Sequence, residues 1–272
     1  MFTATEPFSG ITHITDAMGV SFTLIEGSDR ALLFDTGYGT ENVAEWIRGK
    51  TAKPLKVILS HGHHDHVLGS RWFSETYLCG DDLPEFAVRT GFQQRMKVKQ
   101  KADTMGIPLP DDFLTAPIKE PRRICFAEKT AGFESLRENL GGISVQIIKV
   151  PGHTPGSIML YIPQYDLLLT GDNWNPCTWM WFPSSLSAKT WRKNMYTLID
   201  ALEKELEKPI HHVLCSHQPI LREGEELKAF LEYMTEDRME KSEAVDMGST
   251  IHTYQVTEKN REWTLVLDKD KI

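Results

Sequence analysis

The chain has 272 residues, 40% of them hydrophobic and 25% charged, with a formal net charge of −8. That composition excludes a disordered chain and provides a full core for one large α/β domain or two small ones. The acidic balance argues against a nucleic-acid partner, which normally calls for a basic face, and no apolar run approaches the ~20 residues that span a bilayer.

In chain order, residues 1–7 show neither a basic nor an apolar leader pattern, so cytoplasm is expected. Strands are predicted at 11–15, 21–26 and 30–34, with a Gly27-Ser28-Asp29 turn, followed by a helix from Thr40 through Trp46 and Ile47. Asp35 stands where the third strand stops, a place that suits a turn as well as a site. The β-branched run 55–59 reads as a buried strand, and the loop at its carboxyl end is Ser60-His61-Gly62-His63-His64-Asp65-His66. Four histidines and a carboxylate in six consecutive residues form a metal-binding composition. Imidazole with carboxylate suits zinc and neighbouring first-row metals, whereas magnesium and calcium take oxygen ligands. Open α/β sheets also place their sites at the carboxyl ends of strands.

Residues 77–80 read as a short strand and 81–123 as an insertion, helical over 82–101 and not over Met105-Gly106-Ile107-Pro108-Leu109-Pro110. Within it Arg89, Arg95, Lys97, Lys99 and Lys101 follow one another without an acidic residue, a pattern read as a solvated helix face rather than an anion site. Strands are then expected at 143–150, 157–162 and 167–170, the last running into Asp172. The stretch 173–182 holds Trp174, Trp179 and Trp181 with Asn and Pro punctuation. Core packing and an aromatic wall lining a substrate pocket are both open there. Helices are predicted at 188–207 and 224–244, the second with Leu227, Phe230, Leu231 and Met234 on a packed face, and a closing hairpin at 251–257 and 262–267. Cys79, Cys125, Cys177 and Cys215 are widely spaced, which fits reduced thiols.

The series His61-x-His63-x-Asp65-His66 resembles the signature loop of the metallo-β-lactamase superfamily, and that family's other motifs follow in order. Pro151-Gly152-His153-Thr154-Pro155-Gly156-Ser157 offers His153, Leu167-Leu168-Leu169-Thr170-Gly171-Asp172 offers Asp172, and Val213-Leu214-Cys215-Ser216-His217 offers His217. Leu32-Leu33-Phe34-Asp35-Thr36-Gly37 matches an earlier family element, and the likeness covers about residues 10–220. It implies an α/β fold built as a four-layer αββα sandwich of two mixed β-sheets with outer helices. It also implies a single domain over 1–272 with a helical insertion or lid at about 81–123. Pattern alone supports only α/β or α+β.

By the same resemblance two divalent metal ions are expected, zinc foremost with manganese or iron as alternatives. His61, His63 and His153 would hold one, Asp65, His66 and His217 the other, with Asp172 bridging and Asp35 orienting ligands from behind. Such a pair lowers the pKa of a shared water towards ~7, and the hydroxide would attack an ester, thioester or lactone, with Asp65 orienting it and Asp172 keeping the metals in place. His64 and Tyr161 are open as proton donors, a homodimer is open, and a small-molecule substrate is expected with no nucleic-acid or membrane partner. A phosphodiesterase of the same fold is one alternative; a mononuclear iron enzyme resembling persulfide dioxygenases, using His61, His153 and Asp172, is another. Departures from named branches narrow the field: His63 stands where flavodiiron proteins carry Glu, Asp172 where true zinc β-lactamases lack a bridging Asp. Trp174 lies near the Tyr position of acyl-homoserine-lactone lactonases, and His217-Gln218-Pro219 replaces the Glu-Tyr-Thr type sequence of glyoxalase II.

Overall fold

Strands Thr3–Phe8, Ile11–Thr15, Ser21–Glu26, Ala31–Phe34, Leu55–Ile58, Tyr77–Leu78 and Arg122–Arg123 line up in sequence order as one mixed sheet of the computed structural model, which describes residues 1–272. The first four pair antiparallel, and the last three continue parallel from Ala31–Phe34. Parallel neighbours require crossovers, and the helix Val43–Arg48 provides the first. It starts three residues later than Thr40 because Asn42, whose side chain accepts from the Glu45 N–H, is the cap. Thr3–Phe8 was not anticipated: it is an exposed, polar edge strand containing Pro7, which edge positions tolerate. Ile14, Phe22, Leu24, Leu33, Val43, Ile47 and Val57 form the core against this sheet.

Residues 1–125, 137–145 and 216–220 make one compact unit, and 126–136, 146–215 and 221–272 a second. In the first unit the helix expected at 82–101 is two helices, Leu83–Arg89 and Phe92–Met105. The break follows Thr90, whose hydroxyl donates to the Phe86 carbonyl (2.8 Å), and Gly91 caps the second helix. Val98 and Ala102 of that helix bury against Met18, Val20, Tyr38, Leu68 and Phe113.

The second mixed sheet runs Arg222–Glu223, His212–Leu214, Leu167–Leu169, Ile158–Ile162, Ser144–Lys149, Phe133–Asn139, Glu128–Thr130. Leu167–Leu169 and His212–Leu214 pair parallel in it. The hairpin Glu128–Thr130 to Phe133–Asn139 was unanticipated; it turns on Ala131 and Gly132, both at positive φ (54° and 82°), the geometry of a type I′ turn. A third sheet joins Cys177–Met180, Trp263–Asp268, Thr253–Glu258 and Glu243–Ala244. The helix expected at 224–244 therefore ends at Tyr233: Thr235 caps a short helix, Glu236–Glu240, and Glu243–Ala244 pairs as strand. Trp174, Trp191, Phe230, Trp263 and Tyr161 anchor the core of this unit. No helix is long and apolar enough to cross a membrane, and no disulfide joins the cysteines.

Candidate metal centre

Strand Leu55–Ile58 leads through Leu59 into Ser60, and the short helix His64–Val67 then carries Asp65 and His66 in adjacent positions. The loop is held from behind by Asp35, fully buried at the end of Ala31–Phe34 with φ +69°. Its Oδ1 accepts from the Ser60 N–H (2.6 Å), while Oδ2 accepts from Ser60 Oγ (2.7 Å) and His66 Nδ1 (2.9 Å). Ser60 Oγ in turn contacts His61 Nδ1 at 2.9 Å. One carboxylate thus orients His66 directly and His61 through a hydroxyl, the support that ligating histidines usually receive. Thr36 donates through both its N–H and its hydroxyl to the His66 carbonyl (2.9 and 2.8 Å). Gly69 is required there, because a Cβ would lie 2.1 Å from the Thr36 carbonyl oxygen.

Within this unit Asp65 Oδ2 lies 3.7 Å from both His66 Nε2 and His217 Nε2. Two donor atoms ~2.1 Å from one ion at the tetrahedral angle are ~3.4 Å apart, so these three atoms stand close to the spacing of a shared ion. The His61 ring packs 4.6 Å from His63 and 4.2 Å from His66, centroid to centroid. His217 lies beyond strand His212–Leu214, and its segment is fastened by residues that the sequence reading passed over. Ser21 N–H donates to the Ser216 carbonyl (2.6 Å), and buried His13 reaches the Gln218 carbonyl through Nε2 and Thr23 Oγ1 through Nδ1, both at 2.9 Å. Burial lowers the pKa of His13, partly offset by its bond to Gln218, so it is the neutral ring that fits.

The first helix of the 81–123 segment also touches the loop. Asp82, fully buried, accepts the Gly62 N–H (2.9 Å), and Glu85 Oε1 sits 3.2 Å from His63 Nε2 and 2.6 Å from Arg89 Nε. Burial pushes the Glu85 carboxyl up, but the bonds to His63 and Arg89 outweigh it and hold the group down at about 2. The His64 ring packs edge-on to Tyr38, 5.5 Å between centroids.

In the second unit His153 and Asp172 come together, Nε2 to Oδ2 at 3.7 Å. His153 Nδ1 donates to the Trp179 carbonyl (2.7 Å), which fixes the tautomer and turns Nε2 towards Asp172. Asn173 clamps the backbone: its Oδ1 accepts the His153 N–H (3.0 Å), its Nδ2 donates to the Val150 carbonyl (2.8 Å), and its own carbonyl accepts from Trp191 Nε1 (2.7 Å). Gly152 makes this possible, since a Cβ would lie 2.7 Å from both Asn173 Oδ1 and Trp191. Phe182 meets the His153 ring edge-on at 5.3 Å and stacks on Trp181 at 4.6 Å, with Trp179, 39% exposed, alongside.

Trp174 requires a correction. It is fully buried in the core rather than presented on a wall, edge-on to Phe230 at 6.2 Å, with its carbonyl pinned by Thr170 Oγ1 (2.7 Å). The basic run is largely structural: Arg89 pairs with Glu85, Lys99 with Asp103, Arg95 donates to the carbonyls of Phe113 and Ala116, and Lys101 meets the Tyr38 hydroxyl. Tyr161 is buried in the second unit's core, its pKa raised by burial and by Asp166. The donor set fits divalent metals: imidazoles and carboxylates at shared-ion spacing, three of the rings with Nδ1 engaged by Asp35, Ser60 or a carbonyl.

Residues 15–217 match the family model described as "Metallo-beta-lactamase superfamily". The chain is 25% identical over 153 residues to the probable metallo-hydrolase YqgX of Bacillus subtilis (strain 168), covering 53% of this chain and 61% of that one. It is 23% identical over 162 residues to "Acyl-coenzyme A thioesterase MBLAC2" of Gallus gallus, covering 55% of each. These matches therefore span little more than half the length of the curated relatives. A solved metallo-beta-lactamase from Pontibacter korlensis aligns with a TM-score of 0.55 at 19% identity, covering 85% of this chain and 98% of that one, which bears on the fold.

Proposed function

Because the chain belongs to the metallo-β-lactamase superfamily, we propose that it is a metal-dependent hydrolase of a small-molecule ester, thioester or lactone, with acyl thioesters foremost. In this reading His61, His63 and His153 hold one divalent metal and Asp65, His66 and His217 the other, with Asp172 between them, in the order of the family's motifs. Zinc is the first choice for such ligands, with manganese or iron next. The observation that carries the proposal is the paired orientation of the histidines. Nδ1 of His66, His61 and His153 is engaged by Asp35, Ser60 and the Trp179 carbonyl, while Nε2 of His66 and His153 lies at 3.7 Å from a carboxylate.

Divalent metals held there supply Lewis acidity and bring the ionisation of water into the neutral range. Asp65, only partly buried, would accept a hydrogen bond from the attacking water and orient it towards the carbonyl carbon of the substrate, the electrophile. Trp179, Trp181 and Phe182, grouped beside His153, receive the apolar part of the acyl group and keep bulk water off the reacting bond. The likeness to an acyl-coenzyme A thioesterase points the same way. His217 at ligand spacing from Asp65 favours a second metal, and so hydrolysis over one-iron oxygen chemistry.

The test is elemental analysis of protein purified without added metal, paired with turnover of acyl thioesters of graded chain length, simple esters, lactones and phosphodiesters. About two zinc or manganese atoms per chain with thioester or ester cleavage supports the proposal. One iron per chain, with oxygen uptake on thiol persulfides and no hydrolysis, overturns it.

A further inference from the structure

The helix Leu83–Arg89, which opens the 81–123 segment, is seated on the metal loop at backbone contact distance. A Cβ on Gly62 would lie 2.7 Å from the Phe86 nitrogen and 2.9 Å from the Asp82 carbonyl oxygen, so helix and loop cannot shift independently. The buried Asp82 carboxylate adds a bond to the Gly62 N–H at 2.9 Å. One turn on, Glu85 reaches His63 Nε2 at 3.2 Å and is itself braced by Arg89 Nε at 2.6 Å.

This contact reverses the orientation seen in the other ligand candidates. His66 and His153 have Nδ1 held by Asp35 and the Trp179 carbonyl, which directs Nε2 outward. His63 instead has Nε2 facing the Glu85 carboxylate at an ion-pair distance of 3.2 Å, which leaves Nδ1 as the nitrogen on the other side of the ring to offer a metal. Its partner, moreover, comes from the inserted segment rather than from a strand of the sheet. A carboxylate on the distal nitrogen fixes the tautomer and raises the basicity of a ligating imidazole.

Resting on the reading of His63 as a ligand, we propose that Glu85, braced by Arg89, is a positioning residue for the metal held by His61 and His63. Occupancy of that site and docking of the helix Leu83–Arg89 are coupled. Linkage makes the coupling reciprocal: the helix tightens the metal by the same factor by which the metal tightens the helix.

The experiment uses the full chain, as wild type, Glu85→Gln and Arg89→Met. Zinc affinity is measured by chelator competition with both sites resolved, and amide exchange of residues 83–89 is followed with and without zinc. Glu85→Gln weakens one of the two zinc ions by ~10–100-fold and leaves the other within about threefold, the usual scale for loss of an outer partner. Zinc slows exchange across 83–89 in the wild type and does so much less in the variant. Arg89→Met keeps the carboxylate with one partner fewer; it shows a smaller loss at the same site and carries the test should Glu85→Gln fold poorly. Equal affinities at both sites in wild type and variants, or exchange across 83–89 that ignores zinc, overturns the inference alone. A wild type that binds no metal refutes the proposed function instead.

Discussion

Asparagine at position 35 removes a charge without changing shape, and it isolates what the buried carboxylate contributes. Asp and Asn both tolerate the left-handed backbone found there, φ +69°, so the strand end is undisturbed. The carboxylate accepts three hydrogen bonds, from Ser60 N–H, Ser60 Oγ and His66 Nδ1. An amide oxygen can keep the Ser60 N–H, but the NH2 then replaces Oδ2 and faces the His66 Nδ1 proton. Either that bond is lost or the ring moves its proton to Nε2, the nitrogen turned to Asp65. The serine hydroxyl can rotate to accept from the amide, which limits the loss to one charge-assisted bond and the weakening of another. At ~1.5–3 kcal/mol per bond to a charged group, the metal-free protein loses about 2–4 kcal/mol. Metal affinity falls by ~10–100-fold at the His66 site. Urea unfolding in excess chelator reads the first quantity, and chelator competition on the folded protein reads the second. A variant that unfolds at the wild-type urea concentration and binds metal with wild-type affinity refutes the reasoning.

Trp174→Ala, a deletion in the core, costs ~3–5 kcal/mol in urea unfolding, while Trp179→Ala costs under about 1 kcal/mol and raises KM for long-chain substrates more than for short ones; the opposite ordering of stabilities would show that the two tryptophans have been misassigned. His13 ties stability to pH: its folded pKa is lowered from an ordinary value of 6.5, so its contribution is complete above that value and is lost as pH falls from there through the folded pKa. His13→Gln flattens that part of the profile in unfolding measured between pH 8 and pH 5, and an unchanged slope counts against the assignment. Chelation of the purified protein lowers its thermal midpoint, by about 2.7 kcal/mol of stability for each metal that had been at a hundredfold its dissociation constant, and readdition restores it. No shift on chelation would mean that the histidine clusters stand without metal.

The loop 60–66 was legible because its chemistry is local: a strand, then a dense run of ligand types. Asp35 and the positions of His153, Asp172 and His217 were legible only through the order of motifs. Asp82, Glu85 and His13 were not, because their partners lie 20, 22 and 205 positions away and nothing near them in sequence marks the pairing. The fates of Trp174 and Trp179 were undecidable for a related reason. Strand Cys177–Met180 alternates exposed and buried positions, yet its sequence, Cys-Thr-Trp-Met, carries no matching polar contrast. Helix interruptions at Thr90 and Thr235 turned on hydroxyl bonds to nearby backbone groups, which compete with helix continuation.

The bond from His13 to Gln218 closes a span of 205 residues. Loop closure of that length costs on the order of 5 kcal/mol of chain entropy before any contact offsets it. During synthesis at ~5–20 residues per second, the loop 60–66 leaves the ribosome roughly 8–30 s before His217 does. A nascent chain therefore displays four histidines and Asp65 to the surrounding metal pool well before the segment 216–220 can join its unit. On the proposed function, protein refolded from denaturant, with every ligand candidate present at once, is expected to load a different metal mixture from protein made on the ribosome, and elemental analysis of the two preparations checks it.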